Sequence, residues 1–427
     1  MKVLWLCNIM LPAIAKQLHM DYSVKEGWLT GTLSRLIESG DSGEMKLGIC
    51  CPMSQERKNF HEKMDFDGFP VECFGFYENQ ATPEIYQPEL EGRFREIVEE
   101  FKPDLVHVFG TEYPHTLAMA KVFEKKDRIL IGIQGVITRC GEEYFANLPE
   151  SVTNTKTFRD IVKKDSMAQQ KEKFLLRGRN ESEALKLVGH ITGRTEFDKA
   201  YSKMIHEEAV YHSLNETMRP EFYTGEWALD SCKKHSIFFS QADYPLKGFH
   251  FLLEALPEII KKYPDTEVVV AGNSLISDES LKDKIKRSAY GKYLLHLIKE
   301  NRLEGKVCFT GALSSEEMKA QYLSCQTFVC ASVLENSPNS VAEAMLLGVP
   351  VVAANVGGVP SMITHDVDGI LFEKADSKGL ADAIIRLWED DDKMKCLSEA
   401  EKKRAHVTHD TTTNFNRLME IYREILR

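Results

Sequence analysis

The chain has 427 residues, 43% of them hydrophobic and 28% charged, and carries a formal charge of −11. That length predicts two or three domains and a large core, because chains of this size bury about three quarters of their unfolded surface. The composition excludes a disordered chain. The acidic surplus argues against a general nucleic-acid binder, though not against a local basic groove for phosphates. The 10 cysteines form no C-x-x-C pair, and neither they nor the 13 histidines make a zinc pattern. They read as reduced, mostly buried thiols of a cytosolic protein. No run approaches the ~20 apolar residues of a membrane span. The apolar N-terminal stretch lacks a signal-peptide layout and reads as a first buried strand.

In chain order, strands are predicted at 3–7, 47–51, 71–76, 105–109, 129–133 and 187–192, then at 236–240, 267–271, 307–310, 327–330, 350–353 and 369–372. All are short and continuously hydrophobic, the pattern of parallel strands buried on both faces. Stretches of helical period lie between them, such as 251–262 and 315–324. The expected fold class is α/β, two Rossmann-like doubly wound parallel-sheet domains. The polar segment 151–179 reads as a helical excursion over the surface, and 215–230, with Pro220 and Gly225, as a linker. Residues 412–427 form an amphipathic helix with Phe415, Leu418, Ile421, Tyr422 and Ile425 on one side. The expected domains are 1–225 and 226–407, with 408–427 as a final helix.

In open parallel sheets, ligands bind outside the carboxyl ends of the strands, so the chemistry is expected in the loops that follow them. The most informative stretch is 330–354. A strand leads to Glu335, then Asn336-Ser337-Pro338-Asn339-Ser340 opens a helix that carries Glu343. Asn339 or Ser340 is expected to cap that helix. Its positive end suits a phosphate, and a glutamate on either side can accept from sugar hydroxyls. Loop and helix could thus hold a nucleotide sugar. The same spacing also fits a capped helix with two solvated glutamates.

Glu335 and Glu343, followed by Ala344-Met345, Gly348-x-Pro350 and Gly357-Gly358-Val359-Pro360, resemble the donor site of glycosyltransferase family 4. The resemblance runs through the second half, from Lys247-Gly248 through VVVAG (268–272) and FTGALS (309–314), and is fainter in the first. It implies the GT-B fold, with the two domains facing a cleft: acceptor on the first, donor on the second, and the last helix crossing back onto the first. It implies retaining transfer of a hexose-type sugar from a nucleoside-diphosphate sugar, expected to be a UDP-sugar, without a cofactor or metal ion. By match, Glu343 binds the ribose, Glu335 the hexose and Lys247 the diphosphate, while Leu313 lies near the base. The implied acceptor is a glycan or lipid-linked glycan in bacterial-type surface polysaccharide synthesis. No nucleic-acid partner is expected, and a cytoplasmic place with at most peripheral membrane contact is.

The chain departs from the family pattern at several places. Gln241 stands where an arginine usually gives a second phosphate ligand, and an amide supplies no charge. Arg194, after the last predicted strand of the first half, could compensate from the cleft, or be an ordinary surface arginine. Gln134 stands where a histidine often lies near the reacting sugar. It could bond a hydroxyl or offer its carbonyl to a developing positive centre. The usual Gly-Gly pair is reduced to Gly27, which could still let backbone approach phosphate or serve as a turn. Ser361 replaces the usual acidic residue after Gly357-Gly358-Val359-Pro360. His115, beyond the end of a strand, could face the cleft, whereas His107 inside that strand reads as core. The acidic run 389–392 reads as a solvated turn. The glutamines keep open a catalytically silent GT-B subunit or a nucleotide-sugar sensor; a GT-B nucleotide-sugar epimerase is a further alternative, which would need side-chain acids or bases at the hexose, where the chain offers mainly Glu335 and Gln134.

Overall fold

A computed structural model describes residues 1–20, 27–38, 44–277 and 281–427. It divides into two compact units: residues 1–139, 173–219 and 409–427 form the first, and 140–172 with 220–408 the second. Residues 409–427 belong to the first unit, as expected of the final helix, whereas 140–172, expected in the first domain of 1–225, do not. Residues 140–172 pack with the second unit, and the return at 409 precedes the last helix.

The first unit holds an eight-stranded sheet: β1 (Lys2–Cys7), β2 (Lys46–Pro52), β3 (His61–Phe66), β4 (Phe69–Phe76), β5 (Leu105–Phe109), β6 (Ile129–Gly132), β7 (His190–Gly193) and β8 (Val210–Ser213). Their order is β3-β4-β2-β1-β5-β6-β7-β8. All neighbours are parallel except β3 and β4, an antiparallel hairpin at one edge. β3 and β8 are not among the strands predicted from the sequence. Both are edge strands: β3 buries only two of its six residues and β8 one of four, so neither shows a continuous apolar run.

The central strands are apolar throughout because helices cover both faces. The last helix, Thr411–Ile425, packs on this unit with Phe415, Leu418, Ile421, Tyr422 and Ile425 buried. Trp5 Nε1 donates to the Tyr422 hydroxyl at 2.9 Å, and that hydroxyl lies 2.7 Å from His107 Nδ1. Burial holds the His107 pKa down to about 3, so its neutral ring accepts a hydrogen bond from the tyrosine hydroxyl.

The second unit holds β9 (Lys233–Phe239), β10 (Glu267–Val270), β11 (Val307–Phe309), β12 (Cys325–Cys330), β13 (Val351–Ala354) and β14 (Ile370–Phe372). All pairs are parallel, in the order β11-β10-β9-β12-β13-β14. This is the doubly wound arrangement, in which the strand order reverses between β9 and β12.

Candidate functional site

The loops after β9 and β12 sit at that reversal, where a crevice opens in such sheets. A 3-10 turn, Pro245–Lys247, follows β9 and ends on Gly248 at φ 70°. A Cβ on Gly248 would collide with the carbonyl oxygen of Ala331, and the Val333 N–H donates to the Leu246 carbonyl at 2.9 Å. Backbone lies on backbone here, which explains the glycine after Lys247. The approach brings Lys247 Nζ to 2.7 Å from Glu335 Oε1, and Ser332 Oγ donates to the same oxygen at 2.7 Å. Gly357, at φ 51°, has its Cβ position filled by the Glu335 carbonyl oxygen, which accepts from the Gly358 N–H at 2.9 Å. The double glycine thus fixes the backbone of Glu335.

The pair reaches solvent, with side chains 21% and 13% exposed. Burial disfavours the Lys247 charge, but Glu335 and Tyr244 outweigh it and hold the pKa above the usual lysine range. The ammonium also lies 5.8 Å over the Tyr244 ring. Glu343 is buried, with its Oε2 3.4 Å from the Tyr322 hydroxyl, which also donates to the Ser340 carbonyl at 3.0 Å. Neither glutamate is thus a solvated surface residue.

The helix Asn339–Leu347 corrects one expectation: Pro338 occupies the N-cap, with no side-chain cap. Asn339 and Ser340 are its first two residues. Proline offers no side-chain acceptor, so the helix start keeps its positive end open toward the loop. Asn336 in that loop is buried, and Ser337, Asn339 and Ser340 are half-buried. Gln241 is half-buried and donates to Asp243 Oδ2 at 3.2 Å. Leu313 is half-buried just past Gly311, whose backbone pairs with Gly272.

The first-half residues behave differently. A cavity of about 40 Å³ lies by the carboxyl ends of β5, β6, β7 and β8, lined in part by Gln134, Arg194, Asn215, Glu216 and Asn414. That volume suits a few water molecules rather than a sugar ring. Arg194 is only 6% exposed and ion-paired with Glu216. Its guanidinium also donates to Gln134 Oε1 and to the Gln134 carbonyl, each at 3.3 Å. Arg194 is therefore neither a spare cation nor a surface arginine. The Gln134 side-chain carbonyl, expected to be available to a positive centre, is committed to Arg194.

His115 does not face a cleft. It is fully buried in the first turn of the helix Pro114–Val122, with Nδ1 3.0 Å from Glu78 Oε2 and Nε2 2.9 Å from Asn8 Oδ1. Gly27 is the first residue of the helix Gly27–Glu38, and residues 21–26 before it lie outside the described residues.

Two polar residues escaped the sequence reading. In the first unit the strand order reverses between β1 and β5, and Asn8 and Glu112 follow those strands. Asn8 Nδ2 donates to Glu112 Oε2 at 2.8 Å, and the Gly135 N–H donates to Oε1 at 3.2 Å. Gly110, at φ 98°, has no room for a Cβ beside either side chain. Their position after apolar runs was the available signal. Among the described residues, no group of three or more His, Cys, Asp or Glu side chains could hold a metal ion.

Residues 228–404 match the family model described as glycosyl transferases group 1. The chain is 29% identical over 181 residues to a D-inositol 3-phosphate glycosyltransferase of Corynebacterium urealyticum, covering 42% of this chain and 41% of that protein. It spans less than half the length of the curated relatives it matches first. Among solved structures, sucrose-phosphate synthase from Thermosynechococcus elongatus aligns over 100% of this chain and 99% of its own, with TM-score 0.69 and 14% identity. Anabaena HepE in complex with UDP-glucose aligns over 99% of this chain and 100% of its own, with TM-score 0.65 and 17% identity. These likenesses identify the fold as GT-B.

Proposed function

We propose that the chain is a retaining glycosyltransferase that moves a hexose-type sugar from a nucleoside-diphosphate sugar to a hydroxyl of a glycan or lipid-linked glycan. The observation that carries this reading is the Lys247–Glu335 pair, brought together at the strand-order reversal from positions 88 residues apart. A diphosphate arriving beside the start of the helix Asn339–Leu347 would draw Lys247 to its oxygens. Glu335, released, would accept from hexose hydroxyls, and Glu343 from the ribose. Lys247 would then offset the charge that builds on the leaving diphosphate, an electrostatic contribution of the kind that often dominates catalysis. In retaining transfer the leaving phosphate takes the acceptor proton. A glutamine at position 134 fits this, because an amide cannot serve as a base at neutral pH.

A UDP-sugar donor, independence of metal and a place in surface polysaccharide synthesis belong to the same proposal. HepE, one of the structural neighbours, was solved with UDP and with UDP-glucose, which supports testing uridine first. One observation favours a catalytically silent subunit or sensor instead: Gln241 puts a neutral amide where the family usually has a second cation for the diphosphate. The test is thermal shift of the chain with UDP, GDP, ADP and CMP, followed by release of the winning diphosphate from its sugar donors. One nucleoside diphosphate is expected to raise the melting temperature and to be released slowly. A shift without turnover, even with acceptors, favours the sensor; no shift with any nucleotide overturns the reading of Lys247, Glu335 and Glu343.

A further inference from the structure

On the second unit a short helix, Phe158–Lys163, turns its apolar stripe outward. Phe158, Ile161 and Val162 have the i, i+3, i+4 spacing that ordinarily faces a core, yet they are 68%, 63% and 65% exposed. The helix is fixed from its other side. Thr157 and Asp160, both buried, close a reciprocal capping box, and Asp160 Oδ2 also accepts from the Ala289 N–H at 3.3 Å. The helix Leu281–Lys286 packs beside it and adds Ile285, 56% exposed, between exposed Lys284 and Lys286.

Among the described side chains of the two helices and the residues beside them, the exposed charges are lysines. Lys156, Lys163 and Lys164 are exposed beside the first helix, while Asp160 and Asp165 are both taken up by Arg159. Among the described residues, none of these five lysines is in an ion pair. Such a basic, apolar patch stands out on a chain of net charge −11.

We infer that this patch docks the protein on an anionic lipid surface. The apolar side chains would enter the boundary between headgroups and acyl chains while the lysines reach the anionic headgroups. Neither contribution suffices alone, since four apolar side chains bury little area and exposed charges are screened by salt. The acidic remainder of the chain is repelled by the same surface, so docking is oriented with this face toward the lipid.

The test is co-sedimentation of the full chain with vesicles of phosphatidylcholine alone and of phosphatidylcholine mixed with phosphatidylglycerol. Binding is expected to the mixed vesicles only, and to weaken as salt is raised. Lys163→Gln with Lys164→Gln should lower affinity about 30-fold, at about fivefold per lysine. Phe158→Ser with Ile161→Ser should lower it about tenfold or more. Both pairs are exposed, so both variants should melt with the parent, which separates docking from folding. No vesicle binding, equal binding to neutral vesicles, or binding unchanged in either variant would overturn the inference. So would a dimer, seen without lipid, that Phe158→Ser with Ile161→Ser dissociates, because a second copy would then cover the patch.

Discussion

The two sheets reverse strand order at equivalent places, between β1 and β5 in one unit and between β9 and β12 in the other, but the charged groups beyond the carboxyl ends of their strands behave differently. In the second unit Lys247 and Glu335 hold each other while still reaching solvent. In the first, Arg194 is closed on Glu216, and His115 on Glu78, at 9% exposure or less for every side chain. A part-exposed pair contributes little net stability and can exchange partners when a ligand brings a stronger one. A buried pair cannot, because removal of either partner leaves an uncompensated charge in a poorly solvated site. One topology thus leaves one ion pair partly exposed and closes others inside the protein.

The largest expected effect tests the second half of that contrast. Arg194→Met should destabilise the chain by about 3–5 kcal/mol, the cost of orphaning one member of a buried pair, read by chemical denaturation. Nucleotide affinity should stay at the parent value. A loss of nucleotide affinity without a loss of stability would mean that Arg194 serves a ligand after all. Lys247→Ala tests the other half and should do the reverse. Stability should change little, because a part-exposed pair is removed. Turnover of donor should fall by about 10²–10³-fold, the range seen when one preorganised electrostatic group is lost. Equal turnover would remove Lys247 from the proposed reaction.

The same division decides what was legible in the sequence. Central strands such as Ile129–Gly132 show as unbroken apolar runs because both their faces are covered. His61–Phe66 did not show, because an edge strand keeps one face and one row of backbone groups in water. Lys247, Glu335 and Glu343 were legible because each stands next to glycines or a helix start whose local geometry is encoded in a few neighbouring letters. Gly248 and Gly357 sit where any side chain would strike backbone. The grip of Arg194 on Gln134 was not legible. It joins two loops 60 residues apart, and no spacing within either loop reports which way an arginine turns. His115 misled for a related reason: a position just past a strand can open to a crevice or start a buried helix, and only packing decides.

A smaller effect is expected at Glu343. Glu343→Ala should weaken nucleoside-diphosphate binding by about 1–3 kcal/mol, the range for a lost hydrogen bond to a buried charged group, measured by calorimetry. Binding at the parent affinity would take the ribose away from Glu343 while leaving Lys247 as the diphosphate ligand. It would also make the second unit's site more like the first, with its buried carboxylate serving the fold.

A pH-dependent effect concerns Glu181, a buried carboxylate of the first unit that accepts from Thr111 Oγ1 at 2.6 Å, Tyr201 Oη at 2.7 Å and the Ile137 N–H at 3.1 Å. Burial pushes its pKa up to about 7, against hydrogen bonds that lower it. Between pH 4.5 and 7 the folded chain therefore keeps a proton there that the unfolded chain has lost, and this group's contribution to stability falls as pH rises through that window. Buried His107, His212 and His250, lowered to about 3, 4 and 4, act in the opposite sense, since their contribution is lost as pH falls below about 6.5. A difference measurement separates the two. Relative to the parent, Glu181→Gln should gain stability from pH 4.5 to 7 by at most about 1.4 kcal/mol per pH unit and be flat above that. Parallel stability curves across the window would mean that Glu181 holds no extra proton in the folded state. Its four donors, the Thr138 N–H among them, would then sustain the buried charge, as Glu216 is sustained by Arg194.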